Sequence, residues 1–224
     1  MIEPEQVRER LALVEARIHA AGGTGVDVLA VTKGFGPDAI DAAIGAGCRR
    51  IGENYAQELL EKLRRRAESP VSSGLHVTPE IHFIGRLQSN KVRLLSGVVD
   101  VYESVDRTSL VDAIARRDPG ARVLVQVDTT GEPSKGGCPP GDVANVVAAA
   151  LDAGLRVEGL MTVGPTEGGP EAARQGFRTV RELTSRLDLA VCSMGMTADL
   201  EVAVEEGSTQ VRVGTALFGW RDAR

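Results

Sequence analysis

Eight short apolar runs, alternating with stretches of helical spacing, constrain the fold of this chain more than any other feature of its sequence. The runs are Val26–Thr32, Arg50–Glu53, Ile81–Gly85, Val98–Val105, Val123–Asp128, Val157–Val163, Leu189–Met194 and Gln210–Val213. Each has strand length and ends in turn residues or in a shift to the helical period. Helices are predicted between them, near Asp38–Ala46, Ala56–Glu68, Ser89–Leu95, Ser109–Arg116, Gly141–Ala153, Glu171–Leu187 and Ala198–Glu206. A further helix over Glu5–Ala20 precedes the first strand, because Val7, Leu11, Val14 and Ile18 share one helical face.

Regular alternation of strand and helix implies parallel strands joined by crossovers. Eight such units favour a closed (β/α)8 barrel of the TIM type over an open sheet, and 224 residues are enough for one. No G-x-G-x-x-G follows the first strand, so the mark of a dinucleotide-binding sheet is missing. The breaks at Glu68–Glu80 and Gly131–Pro140 are loop-sized, and the 26 glycines are scattered over turns. The expectation is one barrel domain over residues 1–224, with an extra N-terminal helix.

Charge and cysteine usage narrow the function. A net charge of −5 and an isoelectric point near 5.4 argue against a nucleic-acid partner, which needs a basic patch. The one basic cluster, Arg64-Arg65-Arg66, falls late in a predicted helix, where it complements the helix dipole. Cys48, Cys138 and Cys192 are odd in number and far apart, which disfavours both a disulfide framework and a zinc site. The N-terminus reads as neither a secretory signal nor a transit peptide. No apolar run reaches the roughly 18 residues of a membrane span. A cytoplasmic protein is expected.

In a barrel of this kind, functional residues sit where strands end and the following loops begin. The first run ends in Thr32-Lys33-Gly34. A lysine shielded by apolar neighbours is disfavoured in its charged form and can attack a carbonyl, whereas a lone strand-end lysine usually just reaches for solvent. The second run leads into Asn54, which stands where a helix cap is also expected. In the third, His82 faces opposite to Phe83, so one of the two points into the barrel. A lone strand histidine reads as structural. The seventh and eighth runs end in Ser193 and Gly195, and in Gly214 and Thr215. Hydroxyls and glycine-exposed N–H groups there make an anion site, in the two loops where such barrels bind phosphate. A nucleophilic lysine across from a phosphate cup fits an aldehyde that carries a phosphate, and pyridoxal 5′-phosphate (PLP) is the obvious candidate.

Eight blocks then carry a resemblance: "AVTK" (30–33), "GENY" (52–55), "HFIGRLQSNK" (82–91), "SVD" (104–106), "EPSKGG" (132–137), "GLMT" (159–162), "SMGMT" (193–197) and "STQVRVGTALFG" (208–219). In this order, and nearly end to end, the chain resembles the YggS/PROSC family of pyridoxal-phosphate homeostasis proteins. The resemblance implies a barrel similar to the N-terminal domain of alanine racemase, binding PLP without a well-defined turnover. It implies Lys33 as the aldimine lysine, with Ser193, Gly214 and Thr215 on the phosphate and Arg212 facing the pyridine nitrogen. Asn54 and Met161 would line the ring site. Two departures are Gly34-Phe35-Gly36, where many members carry bulkier or polar residues, and Thr197, which replaces a frequent serine and keeps its hydroxyl. Lys135 is the next lysine to consider after Lys33.

A guanidinium beside the pyridine nitrogen leaves that nitrogen unprotonated and the ring a poorer electron sink. That disfavours transamination and decarboxylation, and leaves racemisation or plain carrying of the cofactor. Racemisation needs an acid/base group on each face of the substrate carbon. In alanine racemase the second is a tyrosine from another domain, which this chain is expected to lack, and its own tyrosines are Tyr55 and Tyr102. A lysine aldolase acting on a sugar phosphate would share the lysine and the phosphate cup, but on a later strand. The expected function is a PLP carrier that maintains intracellular PLP, with a PLP-dependent racemase as the alternative. The expected partners are PLP and, transiently, PLP-dependent apo-enzymes. No nucleic acid, membrane or metal is expected, no catalytic residue is assigned, and the chain is expected to be a monomer.

Overall fold

A computed structural model describes residues 2–69 and 78–220 of the chain. Eight parallel strands close into a barrel in sequence order: β1 (Asp27–Val31), β2 (Arg50–Glu53), β3 (Glu80–Phe83), β4 (Val101–Val105), β5 (Arg122–Gln126), β6 (Arg156–Met161), β7 (Val191–Ser193) and β8 (Gln210–Val213), with β8 pairing back onto β1. The helices are α1 (Pro4–Ala20), α2 (Pro37–Gly45), α3 (Ala56–Ala67), α4 (Val92–Leu95), α5 (Thr108–Arg117), α6 (Val143–Asp152), α7 (Arg174–Arg186), α8 (Leu200–Glu205) and α9 (Thr215–Phe218). All eight expected strands are present: β2 and β8 have the bounds of their apolar runs, and the other six are shorter. The fourth run is trimmed most at its start, because Gly97, at φ +70°, turns the chain after α4 before pairing begins. Most of the break expected at Glu68–Glu80 lies outside the described residues.

Strand alternation sorts the side chains. Ala30, Ile51, Phe83, Tyr102, Val123, Val125, Leu160, Cys192, Val211 and Val213 point outward into the layer of helices. Burying such side chains between sheet and helices is the main stabilising term of the fold, at roughly 25 cal/mol per Å² of apolar surface. The extra helix α1 presses Val7, Leu11, Val14 and Ile18 onto the group that holds Ile40, Ile44, Leu200, Leu217 and Phe218, and so covers the seam where the first and last units meet. It also reaches the barrel mouth: the Arg17 guanidinium pairs with Glu201 and donates to the Thr197 carbonyl at 2.9 Å.

The barrel interior is layered. At its floor, carboxylates and guanidiniums alternate from Asp27 through Arg50, Glu80 and Arg122 to Glu158. Above them Val101, Leu124 and Met161 form an apolar patch on one side. On the other side the interior is polar, with His82, Glu103, Ser193, Gln210 and Arg212 all buried. Of His82 and Phe83, it is therefore the histidine that points inward. The Arg64-Arg65-Arg66 cluster is neutralised by Glu61, Glu68 and Asp41. Among the described residues no helix is long and apolar enough to cross a membrane.

Candidate functional site

Lys33 occupies the corner of a tight turn. The Phe35 N–H donates to the Thr32 carbonyl at 3.1 Å, and Gly34 sits at φ +76°. A φ above zero at the third position is the pattern of a type II turn, which favours glycine there. The break from apolar strand to Lys-Gly is thus a turn that lifts Lys33 out of β1 at the rim of the barrel. Phe35 packs beneath it against Phe218, ring centroids 5.3 Å apart.

A cavity of about 290 Å³ opens beside this turn, lined by Val31, Lys33, Phe35, Ile84, Met196, Thr197, Ala198, Arg212, Gly214 and Thr215. Its size is near the lower end for small-molecule sites, about 300 Å³. The loops after β1, β7 and β8 meet there. Among the described residues the Thr197 and Thr215 hydroxyls make no hydrogen bond, so both are available to a ligand. The first N–H groups of the short α9 have no intrahelical acceptor.

Of the seven residues expected to bind a cofactor, Lys33, Arg212, Gly214 and Thr215 come together in this cavity. Ser193, Asn54 and Met161 are not among its lining residues. Ser193 is fully buried in β7 under the guanidinium of Arg212, and Met161 belongs to the apolar patch of the interior. Asn54 caps no helix, since the residue preceding α3 is Tyr55, and its Oδ1 is buried with no partner among the described residues. The hydroxyl of that loop which faces the cavity is Thr197, four residues after Ser193. Gly195, at φ +93°, turns the chain between them.

Arg212 is held from beneath. Its Nη1 donates to the Ser193 carbonyl at 2.7 Å and to Ser193 Oγ at 2.9 Å, and its Nη2 to the Thr162 carbonyl at 2.5 Å. Its Nε makes no hydrogen bond among the described residues. Burial lowers the guanidinium from its ordinary value, and Glu103 and Asp199 oppose that shift; arginine remains charged.

Ser193 gives its one proton to Glu103 Oε2 at 2.8 Å, which leaves its lone pairs for Arg212 and for Gln210 Nε2 at 3.0 Å. Glu103 also accepts from Gln210 at 2.8 Å and meets His82 Nδ1 at 2.5 Å. A hydrogen-bonded column therefore runs from the cavity down the barrel interior to His82. Sequence reading missed Glu103, because an acidic residue inside the β4 run, between Tyr102 and Ser104, carries no motif of its own.

The column has a pH signature. Burial alone would lower the His82 imidazole, but hydrogen bonds and charge from Glu103 and Glu80 outweigh it and raise it to about 9. A group raised in the folded state above its ordinary value near 6.5 contributes stability that is complete below 6.5 and is lost as pH climbs through 9. Denaturation at pH 6.5 and pH 9 is expected to show a fall on the order of 3 kcal/mol, which His82→Gln removes. Equal stability at the two pH values would refute the charged pair. The buried thiols, pushed up to about 11 by burial, add the same sign only at higher pH.

A wider cleft of about 810 Å³ lies between the loops after β3, β4 and β5, bounded by Arg86, Asp106, Arg107, Gly137 and Asp142. It contains none of the expected site residues. Lys135 is tied down near it, its Nζ donating to Glu132 Oε1 at 2.8 Å and to the Gly164 carbonyl at 2.5 Å.

The family described as alanine racemase, N-terminal domain, matches residues 2–222. A pyridoxal phosphate homeostasis protein of Pseudomonas aeruginosa is 38% identical over 96% of this chain and 96% of its own length. One from Escherichia coli is 37% identical over 97% and 94%. The solved structure of PipY from Synechococcus elongatus, with PLP bound, superposes with a TM-score of 0.79 at 29% identity, covering 95% of this chain and all of that one. With the barrel and these relatives in agreement, the chain belongs to the alanine racemase N-terminal-domain family and, with the relatives named here, to the pyridoxal phosphate homeostasis proteins.

Proposed function

We propose that the cavity at the barrel mouth binds PLP, held covalently on Lys33, and that the protein is a cytoplasmic carrier that keeps intracellular PLP in balance and delivers it to apo-enzymes by transient contact. The observation that carries this reading is the convergence of Lys33, Arg212, Gly214, Thr215 and Thr197 on one cavity of suitable size. The donor set fits the cofactor. Two unpaired hydroxyls and the α9 N–H groups suit a phosphate, and the open Nε of Arg212 suits a ring nitrogen. In this assignment Ser193 serves by holding Arg212, and Met161 by filling the interior beneath. The protein acts as a monomer, with the whole chain serving the one site.

Bound PLP supplies an electrophilic aldehyde and a ring able to accept electron density. Arg212 can donate an Nε–H hydrogen bond to a ring nitrogen, but its guanidinium does not surrender the proton. Neither tyrosine lines the cavity. Tyr102 is fully buried outside the barrel wall and donates to Asp118 at 2.8 Å, with burial and Asp118 both holding its proton on. Tyr55 is exposed in the loop after β2. The second base of a racemase is therefore not provided by the tyrosines of this chain, which favours carrying over turnover.

Incubating the PLP-loaded protein with amino acids in deuterated water tests the reading. Deuterium at Cα is expected to appear no faster than with free PLP, while an apo-transaminase added to the same protein regains activity. Exchange that depends on Lys33 would establish the racemase instead.

The phosphate assignment has its own test. Thr215→Val and Thr197→Val are each expected to weaken PLP binding by about 1.5–3 kcal/mol, roughly ten- to a hundredfold, as loss of a hydrogen bond to a charged group does. Pyridoxal, which lacks the phosphate, is expected to bind equally well before and after. Ser193→Ala should act on Arg212 and so weaken both ligands alike; a selective loss of PLP in Ser193→Ala would return the phosphate to Ser193.

A further inference from the structure

Lys62 lies on α3, where a lysine would be expected in solvent, yet only 3% of it is exposed. Its ammonium donates to Glu53 Oε1 at 2.6 Å and to the Thr32 carbonyl at 2.7 Å, and forms an ion pair with Glu58 Oε1 at 2.6 Å. Glu53 is itself fully buried at the end of β2 and accepts from Thr32 Oγ1 at 2.6 Å. Glu58 Oε1 takes the Gly34 N–H at 2.5 Å. The two peptide units that flank Lys33 are thus both gripped from α3. The carbonyl before it is held by the Lys62 ammonium, and the N–H after it by the carboxylate which that ammonium pairs with.

We propose that Lys62 and Glu58 are positioning residues for Lys33, a clamp from the first turn of α3 and its next that fixes the β1 turn and so aims the lysine amine into the cavity. This rests on the reading of Lys33 as the PLP lysine. Without the clamp the turn is free to rock about Gly34, whose φ of +76° other residues rarely adopt. The chemistry the clamp serves is a condensation. The neutral amine of Lys33 bonds to the aldehyde carbon, and the aldehyde oxygen departs as water with the two hydrogens of the amine, leaving a C=N bond with no change of oxidation state. Such a step is sensitive to aim, since misplacement by about 1 Å can cost a hundredfold.

Two probes separate aim from fold. PLP reports covalent attachment, through the rate at which its absorbance shifts and through borohydride trapping. Pyridoxamine 5′-phosphate has the same ring and phosphate but no aldehyde, and reports the cavity alone. Glu58→Ala and Lys62→Met are expected to slow attachment of PLP by on the order of tenfold or more, with pyridoxamine 5′-phosphate affinity unchanged. Glu58→Gln, which keeps an oxygen for the Gly34 N–H, should restore most of the rate. Glu58 is partly exposed, so its variants report even if Lys62→Met does not fold. Attachment at the wild-type rate in Glu58→Ala, or a parallel loss for both probes, would overturn the clamp. A wild-type protein that traps no PLP on Lys33, yet binds pyridoxamine 5′-phosphate, overturns the covalent reading beneath it.

Discussion

Replacing Lys33 by alanine is expected to abolish borohydride-stable attachment of PLP, while PLP still binds without a covalent bond. The chain makes this test unusually clean, because it holds only four lysines, Lys33, Lys62, Lys91 and Lys135. Lys62 is held by two hydrogen bonds and an ion pair and is buried away from solvent. Lys135 is tied to a carboxylate and a carbonyl and lines no part of the cavity. Lys91 sits in the turn before α4 and lines no part of the cavity. Lys33 alone combines half-burial, an apolar wall of Val31, Phe35 and Ile84, and a place in the cavity. Peptide mapping after reduction should therefore place the wild-type adduct on Lys33 and find none in Lys33→Ala. One equivalent trapped on another lysine of the variant would defeat the assignment.

How far this was legible in the sequence depends on what each residue does. The barrel was, because strands buried on both faces read as apolar runs and the helices between them carry one apolar stripe. The place of Lys33 at the barrel mouth was, because a charge closing an apolar run before glycine falls where a strand ends and its loop begins. Ser193 and Thr197 illustrate the limit. Both are hydroxyls in the same loop motif, and which of them faces the cavity depends on strand parity and on the positive φ of Gly195. Ser193 shares the parity of Val191, inside the barrel and one level below the mouth. Lys62 was invisible for the opposite reason. On an amphipathic helix a lysine between glutamates reads as solvated, and only the fold brings Glu53 and the Thr32 carbonyl to it. Gly85 is similar: a Cβ there would lie 2.0 Å from the Asn54 carbonyl oxygen, so the loop after β3 carries glycine to let the loop after β2 pass.

Glu103 is the residue whose loss should cost the fold most. It is fully buried, and it is the acceptor for His82, Ser193 and Gln210 at once. His82 and the nearby Arg212 hold its carboxyl below the usual range against the cost of burial. Removing one partner of a buried charge pair leaves the other uncompensated, typically at about 3–5 kcal/mol. Glu103→Ala is expected to destabilise the protein by that amount in chemical denaturation at pH 7, and Glu103→Gln by less, since an amide oxygen in the Oε1 position still accepts from His82 and Gln210 while its NH2 replaces the acceptor of Ser193. A loss below about 1 kcal/mol, the worth of an exposed pair, would show that the column carries no weight. The consequence reaches the cavity through one proton. While Glu103 takes the Ser193 hydroxyl proton, both serine lone pairs face donors, and Arg212 is one of them. Without it the hydroxyl is free to rotate, and one of the three bonds that fix the guanidinium is lost. Glu103→Gln, stable enough to purify, should therefore loosen Arg212 and weaken pyridoxal and PLP by similar factors, whereas changes at Thr197 and Thr215 discriminate between them. A Glu103→Gln protein that binds both ligands as the wild type does would confine the column to stability and leave Arg212 held by its two carbonyl contacts alone.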